Sequence, residues 1–537
     1  MLPRYDPEAR IWYGPQTEAD VETGAGFGQI LFEKLKLNPE HVVQIDGDSG
    51  NEMTRADMLM RAIRVIQNLQ DEGFNKCDMV TLACANSENL GPLVVGLLFG
   101  GLPFNALAAN YSVDDMAHMM KITEPALVFC DDSNYDVVRK AIDIASIKQP
   151  KVYVFESDRA GINNVETLLK QTNRETEFRP VQIIDPLHEI ANITCTSGTT
   201  GPMKGVSVSH ARYISGLSKA NLPNSLQTMF TFSSLFWASG VYCFFASIIN
   251  DIPKLITRTA FNEDVFFNLM QKYSLSCIFT PPSYANLLLN HPRAKSADWS
   301  NVQLWWLGGS NVRDQLRDAI DELLPRGRSF NIFANSELGT IAIDLIKRKP
   351  KAAGQIAENI CAKIVDDQGS LLKNGEIGEL VTKHCYPFSG YYKNPEANAE
   401  AIDGEEWLRT GDLAFIDDEG FLFPVDRGKE ILKYRNYQIP PGDLEHIIAG
   451  IDGVKEVCVI GLPDIDESSD LAAAVVVKKS GSKLTGPELV EIVNGQVVDY
   501  KKLRGGVFFV DQLPLSPAGK VLRRKLKEII MKRISRE

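Results

Sequence analysis

Residues Thr196-Ser197-Gly198-Thr199-Thr200-Gly201-Pro202-Met203-Lys204-Gly205 form the most informative stretch of this chain. They follow an apolar strand predicted over 189–195, and the segment after them is predicted to turn helical. Backbone N–H groups and short hydroxyls of this kind can surround phosphate oxygens, and the lysine balances their charge. The stretch therefore indicates ATP, although Lys204 precedes Gly205 and Val206, where a Walker loop has Gly-Lys before Ser or Thr. A flexible Ser/Thr/Gly turn explains the same residues, so this loop alone leaves both interpretations open.

Length and composition limit the classes of protein. A chain of 537 residues exceeds what one hydrophobic core usually supports, so two or more domains are expected. The net charge of −12 argues against a general nucleic-acid binder, which would carry a basic excess. Nine scattered cysteines without a CxxC pair are typical of reduced thiols and indicate neither a disulfide framework nor a zinc site.

The ends of the chain and its apolar runs predict a location. Residues 1–13 contain charges and no apolar run, so no signal peptide is expected. The longest apolar runs, 92–104 and 241–249, are too short to span a bilayer and are predicted to be buried elements. The chain ends in Ile-Ser-Arg-Glu over 534–537 rather than in the peroxisomal Ser-Lys-Leu. We therefore expect a cytoplasmic protein without a transmembrane segment.

Apolar strands alternate with amphipathic helices through the first four hundred residues. This alternation predicts α/β layers with mostly parallel sheets, whose ligands collect at loops beyond the carboxyl ends of the strands. The predicted strands are 79–83, 126–130, 152–155 and 276–280, and the predicted helices are 54–72 and 113–121.

The pattern changes near residue 375. From there to 425 the chain is rich in glycine and charged turns with short strands, which predicts an antiparallel β unit. After Arg427 a separate α+β pattern begins. We therefore predict a large α/β domain of layered subdomains plus the β unit over 1–427, and a small α+β domain over 428–537 with Lys429 in the connector.

Four further motifs follow the loop in order. They are Phe333-Ala334-Asn335-Ser336-Glu337, Trp407-Leu408-Arg409-Thr410-Gly411-Asp412-Leu413, Val425-Asp426-Arg427-Gly428-Lys429-Glu430-Ile431-Leu432-Lys433-Tyr434 and Pro514-Leu515-Ser516-Pro517-Ala518-Gly519-Lys520. With the loop, they resemble the adenylate-forming superfamily of acyl-CoA synthetases, 4-coumarate–CoA ligases and insect luciferases. The resemblance spans most of the chain, and five motifs in one order are far more specific than any single one.

The resemblance implies which residues carry out the first step, in which the acid is joined to AMP. Ser336 would hydrogen-bond the α-phosphate, and Glu337 would bind Mg²⁺, a hard cation that prefers oxygen ligands. Lys520 would neutralise charge as the acid approaches the α-phosphate. The implied ATP-binding residues are Thr196, Ser197, Gly198, Thr199, Thr200, Gly201, Lys204, Phe333 (near the adenine), Asp412 (on the ribose hydroxyls) and Arg427.

A second step is implied because a carboxylate is a poor acyl donor until it is joined to AMP, after which a thiol can attack it. In the family the small domain rotates about a hinge, which Lys429 matches, so that Lys433 replaces Lys520 at the site. The predicted CoA-binding residues are Lys433, Tyr434 and Asn436. The runs 433–438, 501–507 and 389–397 resemble the 4-coumarate ligase and luciferase branch in particular, which favours CoA over a carrier protein as the acceptor. A carrier-protein domain is not expected either, and the expected partners are a carboxylic acid, ATP and CoA, without nucleic acid.

The chain departs from the family beside the acid. The family's Phe-His-x-x-Gly reads Phe236-Trp237-Ala238-Ser239-Gly240, and tryptophan cannot act as a base and fills more volume than histidine. Relatives have proline directly before the lysine of the loop, where this chain has Met203, and glycine where it has Asn436. The acyl pocket is predicted at Trp237, Ser239, Gly308 and Gly309.

The leading hypothesis is an ATP-dependent acid–CoA ligase acting on a medium- or long-chain fatty acid. Four apolar residues suit an aliphatic tail, and core packing explains them equally well: Trp237, Val241, Leu304 and Trp305. An aryl acid such as a hydroxycinnamate is the nearest alternative. A luciferase-like oxygenase and a catalytically weak homologue that binds ATP or lipid are the other readings.

Overall fold

A computed structural model describes residues 2–17, 25–196, 203–217, 222–310, 312–427, 432–434, 437–464, 469–497, 499–515 and 521–535. Residues 426, 427, 433, 437, 438, 464 and 469 are described through their backbone alone. The chain forms two compact units: unit 1 comprises Met1–Pro15, Ala342–Thr382 and Trp407–Glu537, and unit 2 comprises Gln16–Ile341 and Lys383–Glu406. The domain boundary between residues 427 and 428 remains a prediction.

Unit 2 contains two sheets. The strands of the first are β5 (Val80–Ala83), β6 (Phe104–Ala106), β7 (Leu127–Asp131), β8 (Lys151–Phe155), β9 (Asn163–Asn164), β10 (Ile190–Cys195) and β11 (Gly205–Ser209). They lie in the order β11-β10-β6-β5-β7-β8-β9, and every pair is parallel except β10 with β11. The predicted strands and their parallel arrangement are confirmed.

The second sheet of unit 2 is also mostly parallel. Its strands are β3 (Val42–Asp46), β4 (Glu52–Thr54), β12 (Met229–Phe230), β13 (Lys254–Ile256), β14 (Cys277–Thr280), β15 (Leu304–Gly308) and β16 (Arg328–Asn335). Within unit 2 they lie in the order β4-β3-β13-β12-β14-β15-β16, and β3 with β4 is the antiparallel pair. Because parallel strands end at the same edge, the residues that follow β12, β14, β15 and β16 collect there.

Helices of unit 2 pack between and around these sheets. They are α1 (Phe27–Lys36), α2 (Arg55–Asp71), α3 (Leu90–Gly100), α4 (Val113–Thr123), α5 (Tyr135–Ala145), α6 (His210–Leu217), α7 (Ala238–Ile249), α8 (Glu263–Lys272), α9 (Pro282–Asn290), α10 (Asp314–Leu323) and α11 (Pro395–Ala401). One core joins Val43 of β3 and Phe104 of β6 through Phe99 of α3, a helix that is buried along its whole length. The run 92–104 is therefore a buried element, as predicted, and no helix in the described ranges is long and apolar enough to cross a bilayer.

Unit 1 contains the antiparallel β structure. The strands that it holds in whole or in part are β1 (Arg4–Asp6), β2 (Ile11–Tyr13), β17 (Gly339–Ile343), β18 (Gly354–Ile356), β19 (Ile360–Val365), β20 (Gly378–His384), β21 (Leu408–Ile416) and β22 (Phe421–Arg427). They follow one another in the order β1-β2-β19-β20-β21-β22-β18-β17, with β20, β21 and β22 forming an antiparallel meander. The antiparallel unit predicted over 375–425 is confirmed.

The C-terminal part of unit 1 has its own core. Its elements are β23 (Leu432–Tyr434), β24 (Tyr437–Ile439), α12 (Pro441–Ala449), β25 (Val454–Asp464), β26 (Ser469–Lys478), α13 (Gly486–Asn494), β27 (Gly506–Phe509) and α14 (Arg523–Ile534). Alternate residues of β25 point to opposite faces, so Val459 packs with α12 and α13 while Cys458 packs with α14. This arrangement confirms the predicted α+β pattern.

Candidate active site

The phosphate loop closes a β-hairpin. Cys195 of β10 lies opposite Gly205 of β11, the Thr196 N–H donates to the Lys204 carbonyl at 2.9 Å, and the Lys204 N–H donates to Thr196 Oγ1 at 3.0 Å. The segment after the loop does turn helical at His210, where α6 begins, but the β-branched Val206 and Val208 first form the strand β11. Ser197, Gly198, Thr199, Thr200 and Gly201 lie outside the described residues.

The hairpin bears on how this loop could bind phosphate, which is the role that the family resemblance implies for it. A loop at a helix N-terminus gains from the helix dipole, whereas a hairpin loop lies between two strands. Phosphate oxygens bound here would therefore depend on the loop's own N–H groups and hydroxyls and on the ammonium group of Lys204.

Tyr391 connects this hairpin to Glu337. The Lys204 Nζ lies over the Tyr391 ring, 4.6 Å from its centroid, and the Tyr391 hydroxyl donates to Glu337 Oε1 at 2.7 Å. Burial, and secondly the Glu337 carboxylate, raise the pKa of Tyr391 above its usual value, so the hydroxyl remains a donor. Lys204, Tyr391 and Glu337 thus form a continuous set of contacts.

Backbone pairing fixes Tyr391 beside β11. The Tyr392 N–H donates to the Gly205 carbonyl at 2.7 Å, and the Ser207 N–H donates to the Gly390 carbonyl at 3.0 Å. The Asn398 amide group completes the support, since its Oδ1 accepts from the Tyr391 N–H at 2.6 Å and its Nδ2 donates to the Tyr391 carbonyl at 3.1 Å. Sequence reasoning missed Tyr391 as a site residue, although the family-like run that contains it was the available signal.

Ser336 and Glu337 occupy the turn after β16. Asn335 Oδ1 accepts from the Leu338 N–H at 2.7 Å, which holds the turn and presents both side chains. The turn borders a cleft lined by Thr194, Ser207, Val208, Arg212, Tyr213, Ala238, Tyr242, Asn335, Ser336, Glu337, Pro387, Phe388 and Ser389. Arg212 of α6 is a second residue that sequence reasoning missed; its Nη2 donates to the Leu338 carbonyl.

The predicted acyl-pocket residues lie in two places: Trp237 and Ser239 at the start of α7, and Gly308 and Gly309 at the end of β15. Trp237 follows β12, caps helix α7 and meets the Phe236 ring edge-to-face with 4.3 Å between ring centroids. The Ser239 Oγ donates to Ser233 Oγ at 3.0 Å. Gly308 ends β15 opposite Ile332, the residue before Phe333, and Gly309 follows with φ +92°. A Cβ on Gly308 would lie 3.0 Å from the Ile332 carbonyl oxygen, so glycine suits this close approach.

Two apolar residues considered for the acyl pocket are core residues instead. Val241 and Trp305 are buried, and the Trp305 ring stacks on Trp299 with its Nε1 donating to Thr280 Oγ1 at 2.8 Å. Trp237 is only partly buried, so it retains a surface for a ligand.

Asp412 belongs to unit 1. Its N–H donates to Thr410 Oγ1 at 3.1 Å, and the intervening Gly411 has φ +72°. Asp412 lies opposite Arg427 across β21 and β22, so two residues that the resemblance assigns to ATP share one register position. Arg427 itself is described through its backbone alone.

The predicted CoA-binding and hinge residues are only partly described. Tyr434 pairs with Tyr437 in the β23–β24 hairpin, and its buried ring lies under the Arg504 guanidinium at 4.5 Å. Lys433 is described through its backbone alone. Lys429, Asn436 and Lys520 lie outside the described residues.

The donor set around Glu337 fits Mg²⁺ shared with a substrate. Across the described part of the chain, no group of three or more His, Cys, Asp or Glu side chains could hold a metal ion. Tyr391 engages Oε1 of Glu337. Mg²⁺ commonly takes one or two carboxylates and completes its shell with phosphate oxygens and water, so a single carboxylate here suffices when a polyphosphate is bound.

Comparison with known proteins decides the family. A model described as "AMP-binding enzyme" matches residues 31–392, and one described as "AMP-binding enzyme C-terminal domain" matches residues 443–520. The chain belongs to the AMP-binding enzyme family. The resemblance to adenylate-forming enzymes is thereby confirmed, and the family includes acid–CoA ligases and luciferases that use ATP.

Relatives of this AMP-binding enzyme cover nearly its whole length. A probable 4-coumarate–CoA ligase 1 of Dictyostelium discoideum is 26% identical over 93% of this chain and 94% of its own. A luciferin 4-monooxygenase of Nipponoluciola cruciata is 28% identical over 98% of this chain and 99% of its own. Among solved structures, the anthranilate CoA ligase AuaEII in complex with anthranoyl-AMP superimposes with a TM-score of 0.87 at 19% identity, covering 97% of this chain and 100% of that one.

Proposed function

We propose that this AMP-binding enzyme joins a carboxylic acid to CoA through an acyl-adenylate. The observation that carries the proposal is the set of contacts from Lys204 through Tyr391 to Glu337, which places a cation over the ring and a carboxylate at the hydroxyl of one tyrosine. A cation suits phosphate oxygens, and a carboxylate suits the Mg²⁺ that accompanies them.

In the first half-reaction a carboxylate oxygen of the acid attacks the α-phosphorus of ATP. The new O–P bond forms the acyl-adenylate, while the bond to the β-phosphate oxygen breaks and pyrophosphate leaves. Lys204 and the loop N–H groups would bind the phosphates, Ser336 would donate to an α-phosphate oxygen, and Lys520 would stand between acid and phosphate. Mg²⁺ bound by Glu337 would supply charge neutralisation for the polyphosphate.

In the second half-reaction the CoA thiol, as its thiolate, attacks the acyl carbon. The thioester C–S bond forms, the bond from the acyl carbon to the phosphate oxygen breaks, and AMP leaves. Lys433, Tyr434 and Asn436 are the proposed CoA residues, with rotation of the C-terminal domain about Lys429 and the boundary at 427/428. Trp237 cannot act as a general base, so this step would use thiol deprotonated elsewhere.

The acid is proposed to be a medium- or long-chain fatty acid that passes Trp237, Ser239, Gly308 and Gly309. An aryl acid is the alternative. It is favoured by the partly exposed aromatic ring of Trp237 and by the 4-coumarate and anthranilate named for the relatives. A cytoplasmic location also remains a proposal.

The decisive experiment measures acid-dependent pyrophosphate release and acyl-CoA formation across fatty acids of increasing length and several hydroxycinnamates. We expect one class to give acyl-CoA, and we expect Lys520→Ala to abolish pyrophosphate release. Lys433→Ala should instead retain pyrophosphate release and slow thioester formation. If the unsubstituted protein binds ATP but forms no adenylate with any acid, the proposed function is wrong and the ATP-binding homologue is correct.

A further inference from the structure

Arg212 is a buried arginine whose hydrogen-bonding capacity is only partly used. It lies on α6 with 6% of its surface exposed, and its Nη2 donates to the Leu338 carbonyl next to Glu337. Its Nη1 is shielded from solvent and makes no hydrogen bond within the described ranges. No described carboxylate forms an ion pair with it. Because an arginine side chain stays charged in proteins, this is a buried cation without a described counter-ion.

Arg317 shows how a buried arginine of the same unit is satisfied. It lies on α10 with 2% exposed, its Nε donates to Ser329 Oγ at 3.3 Å, and its Nη2 donates to the Ser329 carbonyl at 3.0 Å. A buried donor without an acceptor costs about 1–3 kcal/mol, and more when it is charged. The unused Nη1 of Arg212 therefore calls for a partner that the chain itself does not supply.

The surroundings of Arg212 form a cleft for a polar ligand. Arg212 lines it together with Ser336, Glu337 and Ser389, and the Ser389 Oγ likewise lacks a hydrogen-bond partner among the described residues. His384 adds no second positive charge, because burial and, secondly, the Arg212 charge lower the pKa of His384 to about 2 and keep it neutral. Glu337 is the acidic residue that lines the cleft, and its Oε1 is engaged by Tyr391.

We propose that Arg212 binds an anionic oxygen of a substrate that enters this cleft beside Glu337. The oxygen has two sources in the reaction proposed above, on which this inference rests. It belongs either to the pyrophosphate portion of ATP or to a second carboxylate at the far end of the acid. In both cases Nη1 donates a charge-assisted hydrogen bond, with Ser389 Oγ as a second donor.

Two measurements distinguish the sources. The first is the Kd of magnesium pyrophosphate for the full-length protein, determined by calorimetry without acid or CoA. The second is kcat/KM for straight-chain monocarboxylic acids and for α,ω-dicarboxylic acids of the same lengths. Both are made on the unsubstituted protein, on Arg212→Met, on Arg212→Lys and on the control Arg317→Met. Arg212→Gln, which keeps a donor for the Leu338 carbonyl, replaces the methionine variant if that variant does not fold.

We expect Arg212→Met to weaken one interaction by about ten-fold or more, as for a lost hydrogen bond to a charged group, with partial recovery in Arg212→Lys. Weaker pyrophosphate binding with unchanged acid selectivity identifies the phosphate source. Selective loss of dicarboxylic acids with unchanged pyrophosphate binding identifies the carboxylate source. The proposal is overturned if both quantities are unchanged, or if Arg317→Met changes them equally. Pyrophosphate binding needs no turnover, so it still tests Arg212 if no acid is ever adenylated.

Discussion

Two regions of unit 2 are held together by different kinds of contact. In the phosphate side, defined as Thr196, Lys204, Tyr391 and Glu337, each side chain is fixed by a hydrogen bond or a cation–ring contact to another member. In the acid side, defined as Trp237, Ser239, Gly308 and Gly309, ring packing and glycine turns predominate, and a hydroxyl contact joins Ser239 to Ser233.

The difference suits the two ligands that we propose for these regions. Every reaction of the family handles the same polyphosphate, whose charge requires polar groups at fixed positions. The acids differ in size and shape, and an apolar pocket selects them through volume rather than through hydrogen bonds. We therefore expect substitutions in the phosphate side to change rate for all acids, and substitutions in the acid side to change which acid is used.

The largest effect is expected for Glu337→Gln. The variant keeps an acceptor for the Tyr391 hydroxyl but removes the charge, so acid-dependent pyrophosphate release should fall by about 10²–10³-fold for every acid tested. Glu396→Gln on the exposed surface of α11 is the control and should leave the rate unchanged. A loss that depends on the acid would contradict the separation of the two regions.

A pH effect on stability is expected next, from the helix behind the phosphate side. His210 starts α6, is buried, and accepts a hydrogen bond at Nδ1 from the Phe27 N–H at 3.2 Å; burial lowers the pKa of His210 to about 4. Between pH 6.5 and pH 4, roughly, His210 is protonated in the unfolded chain but stays neutral in the folded chain. The folded state therefore loses stability as the pH falls through this range, by roughly 3 kcal/mol at the lower limit.

His210→Asn tests this expectation, because asparagine keeps an acceptor for the Phe27 N–H and does not titrate. Thermal midpoints measured from pH 7 to pH 4.5 should fall less steeply for the variant than for the unsubstituted protein. Parallel curves would show that His210 does not contribute to the loss of stability in acid.

Tyr391→Phe should have an intermediate effect on rate. It removes the hydroxyl that donates to Glu337 while keeping the ring under Lys204, so only the carboxylate loses a partner. A hydrogen bond to a charged group contributes about 1.5–3 kcal/mol, so pyrophosphate release should slow by about ten-fold or more, again for all acids. A rate equal to that of the unsubstituted protein would mean that Tyr391 is not needed to position Glu337.

Sequence patterns predicted the parts of the fold and site that depend on local residues. The apolar runs correctly predicted that α3 and the parallel strands are buried. The motif at the end of β16 correctly indicated that Ser336 and Glu337 lie together in one turn. The link through Tyr391 was not predictable, because it joins residues 54 positions apart through a hydrogen bond that only folding creates. Strand β11 was not predicted, because residues 206–209 are only two valines and two serines. So short a stretch is stable as a strand when it pairs with β10.

Arg212 was missed for a related reason. A single arginine in a helix is usually a solvated surface residue, and only the tertiary structure buries it beside Leu338. The roles assigned to residues 197–201 and to Lys520, by contrast, depend on motif resemblance alone. They stay predictions, and the Lys520→Ala variant proposed above tests one of them.

Trp237→Ala should change acid selection more than rate. It opens space at the start of α7, and each methylene of an acid that fills such space gains about 0.8 kcal/mol, or roughly four-fold in kcat/KM. The preferred acid should therefore become longer or bulkier, with Trp237→Phe intermediate. If all acids lose activity by the same factor, Trp237 does not line the acid pocket and the acid side has been placed wrongly.

Ser239→Ala is expected to have the smallest effect and gives the most direct comparison with Tyr391→Phe. Each variant removes one hydroxyl and one hydrogen bond, Ser239 to Ser233 at 3.0 Å or Tyr391 to Glu337 at 2.7 Å. The serine pair is neutral and contributes about 1 kcal/mol of stability, so the thermal midpoint should fall by about one degree while pyrophosphate release stays within about two-fold. Unequal rates would assign the difference to the charged partner of Tyr391 and to its position in the phosphate side. Equal losses of rate would mean that the acid side also depends on a polar contact, and the contrast between the two regions would no longer hold.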